Sequence, residues 1–336
     1  MFVLALERLR RHEDLTADES AAAMGTIMDG QAQPSQIAAL LMGLALKGER
    51  PSEMIGFARA MRERAVPLPR PVGEAFDTCG TGGDGAHTFN VSTAAAIVLA
   101  GAGLPIAKHG NRAASSRSGS ADVFEALGVN LEAPPEAVVT AIEQAGLGFF
   151  FAPMWHPSMR HAGPTRRELG VRTAFNLLGP LTNPARVTRQ LIGVSRPEHT
   201  ELLARSLGAL GVERAWVVHG AGGLDELSTL GHTKVSELRA GAVNTFYVHP
   251  SDAGLPLAER TALAGGSAAE NAEMVRRLLA GEPGPRRDIV QFNAAAALLV
   301  AGRVSTLRDG VAMAARSIDD GRARQVVERL CAVCGK

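Results

Sequence analysis

The chain has 336 residues, 46% hydrophobic, 4% aromatic and 21% charged, and its 35 Lys and Arg nearly balance 34 Asp and Glu, for a formal net charge of +1. Such an apolar fraction fills a sizeable core and excludes a disordered chain, and the length suits one large domain or two unequal ones. The even charge balance and the single Tyr argue against a protein that coats nucleic acid or stacks bases.

The opening residues place a short apolar run before charges, the wrong order for a secretory leader. The apolar stretches are broken by Gly or Pro or fall short of the roughly 18 residues of a membrane helix. A soluble, cytoplasmic protein is expected. The first 65 or so residues read as helices only. Thr16 and Glu19 form a capping box for a helix through Met24 and Ile27 that stops at Gly30. A second helix follows Pro34 to Gly48, and a third follows Pro51 through Ile55, Ala58 and Met61, with apolar residues recurring at three and four. Val66–Pro71 then carries prolines at 67, 69 and 71 and is the best linker candidate.

Beyond it the pattern alternates. Strands are expected at Ala75–Thr78, Pro105–Lys108, Phe149–Ala152, Gln190–Val194 and Ala215–His219, with another at Asn244–His249. Helices are expected from Thr93 and at Ala121–Leu127, Pro135–Ala145, Ala268–Leu279 and Ile289–Ala301. Strands separated by helix-length segments indicate an α/β sheet, so the fold expected is a small all-α N-terminal domain plus a larger α/β domain. Cys79, Cys331 and Cys334 are too few for a disulfide framework. The lone C-x-x-C has no second pair or nearby His to make a zinc site, and both residues read as helix-end residues in a reducing compartment.

Four segments carry chemistry. Gly80–Thr93 (GTGGDGAHTFNVST) lies between a predicted strand and a predicted helix. Its clustered glycines let backbone N–H groups approach an anion, while Ser92 and Thr93 stand at the helix start. Phosphate or pyrophosphate is the natural occupant, although the loop is neither a G-K-[ST] phosphate loop nor a G-x-G-x-x-G fingerprint. In Lys108–Gly128, Lys108, His109, Asn111 and Arg112 come at or just after a strand's carboxyl end, followed by Ser115, Ser116, Ser118 and Gly119. Ser120 is placed to cap the next helix. The run suits a polyanion, although each of these residues alone would read as surface charge or structural histidine.

In Val217–Ser228, Asp225 and Glu226 are adjacent carboxylates after a glycine turn. They suit Mg2+ shared with ligand phosphates, or else Asp225 caps a helix and Glu226 is solvated. His156–Pro184 holds His156, Arg160, His161, Arg166, Arg167 and Arg172. Its guanidinium groups suit bidentate recognition of a carboxylate, or else the charged face of a helix, and spacing alone does not decide. Nothing marks a hydroxyl or thiol as an activated nucleophile.

In this order, GTGGD, KHGNR, RRELGVRTAFNLLGPLTNP and GLDELS form a highly specific combination. With LTADESAAAMGTIMDG, QIAALLMGLALKGE and RDIVQFNAAAALLVAG (Arg287–Gly302), the chain closely resembles the anthranilate phosphoribosyltransferase family over nearly its whole length. The resemblance implies a central mixed, mostly parallel sheet flanked by helices. It puts the small domain at residues 1–70 with a return segment near 165–185, the large domain at 71–164 and 186–336, and hinges near 66–71 and 165–185. It implies Mg2+-dependent transfer of phosphoribosyl from phosphoribosyl pyrophosphate to the amine of anthranilate, two Mg2+ per subunit, a homodimer formed through the small domain, and no nucleic-acid partner.

By motif match, Gly80, Gly83, Asp84, Thr88, Asn90, Val91, Ser92, Thr93, Lys108, His109, Gly110, Asn111, Arg112, Ala113, Ala114, Ser115, Ser116 and Ser120 would hold phosphoribosyl pyrophosphate. Gly80, Asn111 and Arg166 would contact anthranilate, with His109 and His156 lining its route. Ser92, Asp225 and Glu226 would bind Mg2+, and Lys108 would neutralise charge growing on the leaving group. Gly231-His232-Thr233 departs from the family's Gly-Pro-Thr, and Gln291 and Phe292 replace more usual neighbours. Alternatives are a pyrimidine nucleoside phosphorylase of the same fold, whose lysine loop is of the K-H-S-G-R kind, or a nucleic-acid-binding paralogue. The paralogue should lose Asn111 and Arg166 and carry a basic surface.

Overall fold

Four helices open the chain in the computed structural model, which describes residues 2–113 and 117–335. They are α1 (Phe2–Arg10), α2 (Ala17–Met28), α3 (Pro34–Lys47) and α4 (Pro51–Glu63). The expected capping box is present: Glu19 N donates to Thr16 Oγ1 at 3.2 Å and Thr16 N to Glu19 Oε2 at 2.8 Å. Prolines at the first position of α3 and α4 give up only an N–H that a helix start leaves unpaired. Met24, Ile27, Leu40, Leu44, Met54 and Phe57 fill the space between them. Of the four, α1 has no separate counterpart in the sequence reading.

The rest alternates as β1 (Phe76–Gly80), α5 (Val91–Gly101), β2 (Ile106–Gly110), α6 (Ser120–Leu127), α7 (Pro135–Ala145) and β3 (Leu147–Phe151). A crossing segment follows, made of short helices α8 (Ala152–Trp155), α9 (Gly163–Leu169) and α10 (Phe175–Leu178). Then come β4 (Arg189–Gly193), α11 (His199–Ala209), β5 (Arg214–Gly220), β6 (Thr233–Arg239), β7 (Ala242–Val248), α12 (Ala268–Leu279), α13 (Pro285–Val300), α14 (Leu307–Asp319) and α15 (Arg322–Cys334). Among the described residues no helix is long and apolar enough to cross a membrane.

The seven strands form one sheet in the order β3-β2-β1-β4-β5-β6-β7. Strands β1 to β5 run parallel, and β6 and β7 add an antiparallel edge. Parallel strands are covered on both faces, which is why their apolar runs were legible. Strand β6 was not expected, because TKVSELR alternates with polar residues and still buries Thr233 and Ser236. Its turn into β7 uses Ala240 and Gly241 at φ 50° and 77°, the left-handed pair that a two-residue hairpin requires.

Two cores hold the layers together. One lies between the sheet and α5, α6, α7 and α12 to α15, around Phe76, Ile97, Phe124, Phe150 and Phe292. The other joins α1 to α4 to the opposite face of the sheet through Ile192, Leu203, Leu207 and Val217, and takes in Ala162, Phe175, Leu178 and Leu181 of the crossing segment. Cys331 and Cys334 are free thiols on α15, each 3.5 Å from a carbonyl, of Leu127 and Ala137 respectively.

Candidate active site

The chain leaves β1 toward β2 on one side of the sheet, and β4 leads to β5 on the other. The carboxyl ends of β1 and β4 therefore border the switch point where open α/β sheets form a crevice. Gly80 and Gly193 are paired there, and Thr81 N donates to Gly193 O at 2.9 Å. The Asp225 backbone lies on Gly193 and its carboxylate on Gly80, so closely that a Cβ at either glycine would overlap it. This close approach is the physical use of the two strand-end glycines. Asp225 Oδ2 accepts from Gly82 N at 2.7 Å, and Glu226 Oε1 accepts from Ser92 N, in the first turn of α5, at 3.1 Å. Asp225 and Glu226 thus sit in the β5–β6 loop over the glycine loop, and Asp225 caps no helix.

Asn293 of α13 fixes that loop in register. Its amide grips the backbone of Leu227, accepting from N and donating to O at 2.9 Å each. The sequence reading did not single out Asn293. The available signal was a polar residue directly before the apolar, buried run Ala294–Leu298.

Lys108 lies within β2, is 1% exposed, and donates from Nζ to Thr78 O at 2.5 Å with Ser92 Oγ at 3.4 Å. It points under the glycine loop rather than out from the strand end. Arg112 behaves differently from a free phosphate-seeking cation. Its NH1 is tied to Asp122 at 2.9 Å and Glu125 at 2.8 Å, and it lies 5.7 Å from the Phe151 ring centre. The expectation that Ser120 caps α6 is corrected. Gly119 is the N-cap, its N–H is taken by Asp122 Oδ2 at 2.8 Å, and Ser120 is the first helical residue. Asp122 also accepts from Ala113 N at 3.0 Å. Ala114, Ser115 and Ser116 lie outside the described residues.

Asn90 donates to Ser118 O at 3.2 Å and accepts from Asn271 at 2.8 Å, and Asn111 accepts from Arg112 N at 2.7 Å. Asp84 accepts from Ala86 N at 3.0 Å, and Thr88 bridges to Ala264, tying the far end of the glycine loop to the segment before α12. Val91 and Thr93 are buried in the first turn of α5, and Gly110 ends β2. Departure from Gly-Pro-Thr leaves the turn after the carboxylates closed, since Ala221 N donates to His232 O at 2.9 Å and Ser228 N to Thr233 Oγ1 at 3.0 Å.

Burial, reinforced by Asp84, pushes the Asp225 carboxyl up to about 7, and burial together with Asp225 raises Glu226 as well. Buried carboxylates crowded in this way are stabilised by a hard divalent cation. Among the described residues no three His, Cys, Asp or Glu side chains form a self-sufficient metal cage. The two adjacent buried carboxylates fit a hard ion that completes its shell with ligand oxygens and water, as Mg2+ does.

On the other side of Lys108, the His109 and His156 rings are 5.2 Å apart. His109 Nδ1 lies 3.1 Å from Gly179 O, and both Nε2 atoms are buried without a partner among the described residues. Burial, with some repulsion from His156, lowers the His109 pKa to about 3, and burial lowers that of His156 to about 4. Both rings are therefore neutral near pH 7. Arg166 stands 4.9 Å from the Phe175 ring centre, and its burial lowers its pKa. It makes no ion pair among the described residues.

The helical bundle domain of the glycosyl transferase family matches residues 3–65, and that family's a/b domain matches residues 72–324. An anthranilate phosphoribosyltransferase of Symbiobacterium thermophilum is 55% identical over 325 residues, covering 97% of this chain and 95% of its own. The crystal structure of the anthranilate phosphoribosyltransferase of Thermus thermophilus superposes with a TM-score of 0.92 at 47% identity, over 98% of this chain and 99% of that one. The Saccharomyces cerevisiae enzyme in complex with phosphoribosyl pyrophosphate and Mg gives 0.91 at 28% identity, over 99% and 97% of the two chains. The yeast enzyme has also been solved in complex with 4-fluoroanthranilate, with a TM-score of 0.86 at 26% identity over 99% and 98%.

Proposed function

The chain belongs to the anthranilate phosphoribosyltransferase family, enzymes of the pentosyltransferase class, and we propose that it transfers 5-phosphoribosyl from phosphoribosyl pyrophosphate to the amine of anthranilate. The products are N-(5-phosphoribosyl)anthranilate and pyrophosphate, a step of tryptophan biosynthesis. The observation that carries this reading is the convergence at one sheet end of the glycine loop, the buried Lys108 ammonium and the Asp225–Glu226 pair.

In this reading Gly80, Gly83, Asp84, Thr88, residues 90–93 and 108–116 and Ser120 cradle the sugar phosphate and pyrophosphate, and Ser92, Asp225 and Glu226 hold Mg2+, two ions per subunit. Bound Mg2+ would offset negative charge on the pyrophosphate oxygens. The amine lone pair forms the N–C bond at the anomeric carbon, the C–O bond to pyrophosphate breaks with its electron pair, and the amine proton passes to water. No protein nucleophile is needed, so the chain's work is alignment and charge neutralisation. Lys108 serves the leaving group. Arg166, without an ion pair among the described residues and stacked on Phe175, orients the anthranilate carboxylate with Asn111 and Gly80, and the neutral His109 and His156 line its route without competing for that carboxylate.

Domain boundaries and hinges at 66–71 and 165–185 belong to the same proposal, as does a cytoplasmic location, which three free thiols support. A homodimer is supported by Val3, Leu4 and Leu46, which are 68%, 67% and 77% exposed on the adjacent helices α1 and α3.

The test is loss of anthranilate fluorescence with phosphoribosyl pyrophosphate, with and without Mg2+. Loss that needs protein, both substrates and metal supports the transferase. Retained fluorescence with folded protein overturns it and makes nucleoside phosphorolysis and salt-dependent DNA binding the next assays.

A further inference from the structure

The crossing segment places one guanidinium where neither core needs it. Arg172 follows the left-handed Gly170 (φ 62°) and reaches back to the glycine loop, where its NH1 donates to Gly82 O at 2.7 Å. It occupies the space that a side chain on Gly83 would fill, since a Cβ there would overlap NH1. Gly82 is thus held at both ends, its N–H by Asp225 and its carbonyl by Arg172. The second terminal nitrogen, NH2, is buried and has no partner among the described residues. Asp84 and Asp225 lie close enough to attract this charge and Arg196 close enough to repel it. At the start of α11, His199 senses both Arg172 and Arg196, and its Nδ1 is likewise buried without a partner among the described residues. A desolvated N–H with no acceptor is a standing cost that an arriving oxyanion removes.

We propose that Arg172 NH2 takes a nonbridging oxygen of the pyrophosphate group while NH1 keeps Gly82, so that the donor substrate fastens the crossing segment to the glycine loop. The inference rests on the transferase reading above. Arg172 is in this view a donor-binding residue that also positions the loop, and the bonds made and broken are those already described.

The experiment titrates inorganic pyrophosphate, with Mg2+ present, into wild-type protein and the Arg172→Lys, Arg172→Ala and Gly83→Ala variants by calorimetry, with melting temperatures recorded alongside. Losing one charge-assisted contact should weaken pyrophosphate at least about tenfold in Arg172→Ala. Arg172→Lys keeps a charge and a donor for Gly82 but not the second N–H, and should weaken binding nearly as much at an unchanged melting temperature. Gly83→Ala, which displaces the guanidinium, should reproduce Arg172→Ala. Steady-state kinetics should raise the KM for phosphoribosyl pyrophosphate by the same factor and leave that for anthranilate within about twofold. Pyrophosphate affinity within about twofold of wild type in Arg172→Ala, a wild-type-like Arg172→Lys, or an equal rise in both KM values overturns the proposal. Wild-type protein that binds pyrophosphate through Arg172 but consumes no anthranilate would sink the transferase reading and leave this contact standing.

Discussion

Asp77 and Asn183 lie 106 residues apart and share a buried hydrogen bond of 2.8 Å. The same Asn183 amide donates to Ala107 O at 2.8 Å, and the other Asp77 oxygen accepts from His109 N at 3.2 Å. One carboxylate thereby joins β1, β2 and the end of the crossing segment directly behind Lys108. Burial raises its pKa, opposed by Lys108 and by these hydrogen bonds.

Removing the Asn183 amide strands a buried carboxylate and a buried carbonyl. Asn183→Leu should lose about 1–3 kcal/mol of stability and also lower turnover, because β2 carries both Lys108 and His109. Urea unfolding with parallel kinetics checks this, and unchanged values of both would remove the network from the site.

Lys108→Met keeps the length of the side chain and deletes the charge. A lost preorganised charge at a leaving group should cut kcat about a hundredfold, while folding stability changes by no more than about 1–2 kcal/mol. Turnover like that of the wild type would end the proposed role of this ammonium.

Arg166→Ala should raise the KM for anthranilate by about tenfold or more, the worth of one charge-assisted contact to a carboxylate, with a smaller rise for phosphoribosyl pyrophosphate. If the two constants rise together, the stack on Phe175 is structural.

His109 and His156 titrate well below the ordinary imidazole value of 6.5. Between that value and their folded pKa values, the unfolded chain binds protons that the folded chain refuses. Their effect is therefore absent above about pH 7, and stability falls as pH drops through 6.5 toward 4, by about 1.4 kcal/mol per unit for each group. Wild-type protein should lose more stability between pH 7 and 5 than a His109→Gln/His156→Gln variant. Parallel losses in denaturant titrations at the two pH values would show that these rings are not the acid-sensitive groups.

Leu46→Asp puts a charge at an exposed apolar position of α3. Size-exclusion chromatography with light scattering should give a dimer for the wild type and a monomer for the variant. A wild-type monomer would overturn the proposed homodimer.

What the sequence made legible was local. The capping box at Thr16, the glycine loop and the strands buried on both faces are written in contiguous residues. What it hid depends on register and distance. Nothing in the GTGGD or GLDELS strings says that Gly193 pairs with Gly80 beneath Asp225, or that Asn293 grips Leu227. Arg112 reads as a free cation in the sequence because its partners, Asp122 and Glu125, come ten and thirteen residues later. Ser120 reads as a cap from its hydroxyl alone, whereas Asp122, two residues on, holds the Gly119 amide.

The attachment of Asn293 to Leu227 has a consequence for how such a protein can change over evolutionary time. The acidic loop is anchored to α13 under the sheet, whereas Arg166 rests on Phe175, which is packed with the N-terminal helices. In the proposed reading the Mg2+-binding carboxylates and the acceptor-binding Arg166 therefore rest on different helices. Under that reading, mutations around Phe175 that spare Arg172 would change how the amine is held without touching the Asn293 anchor of the acidic loop, so new acceptor preferences would be reachable by small steps.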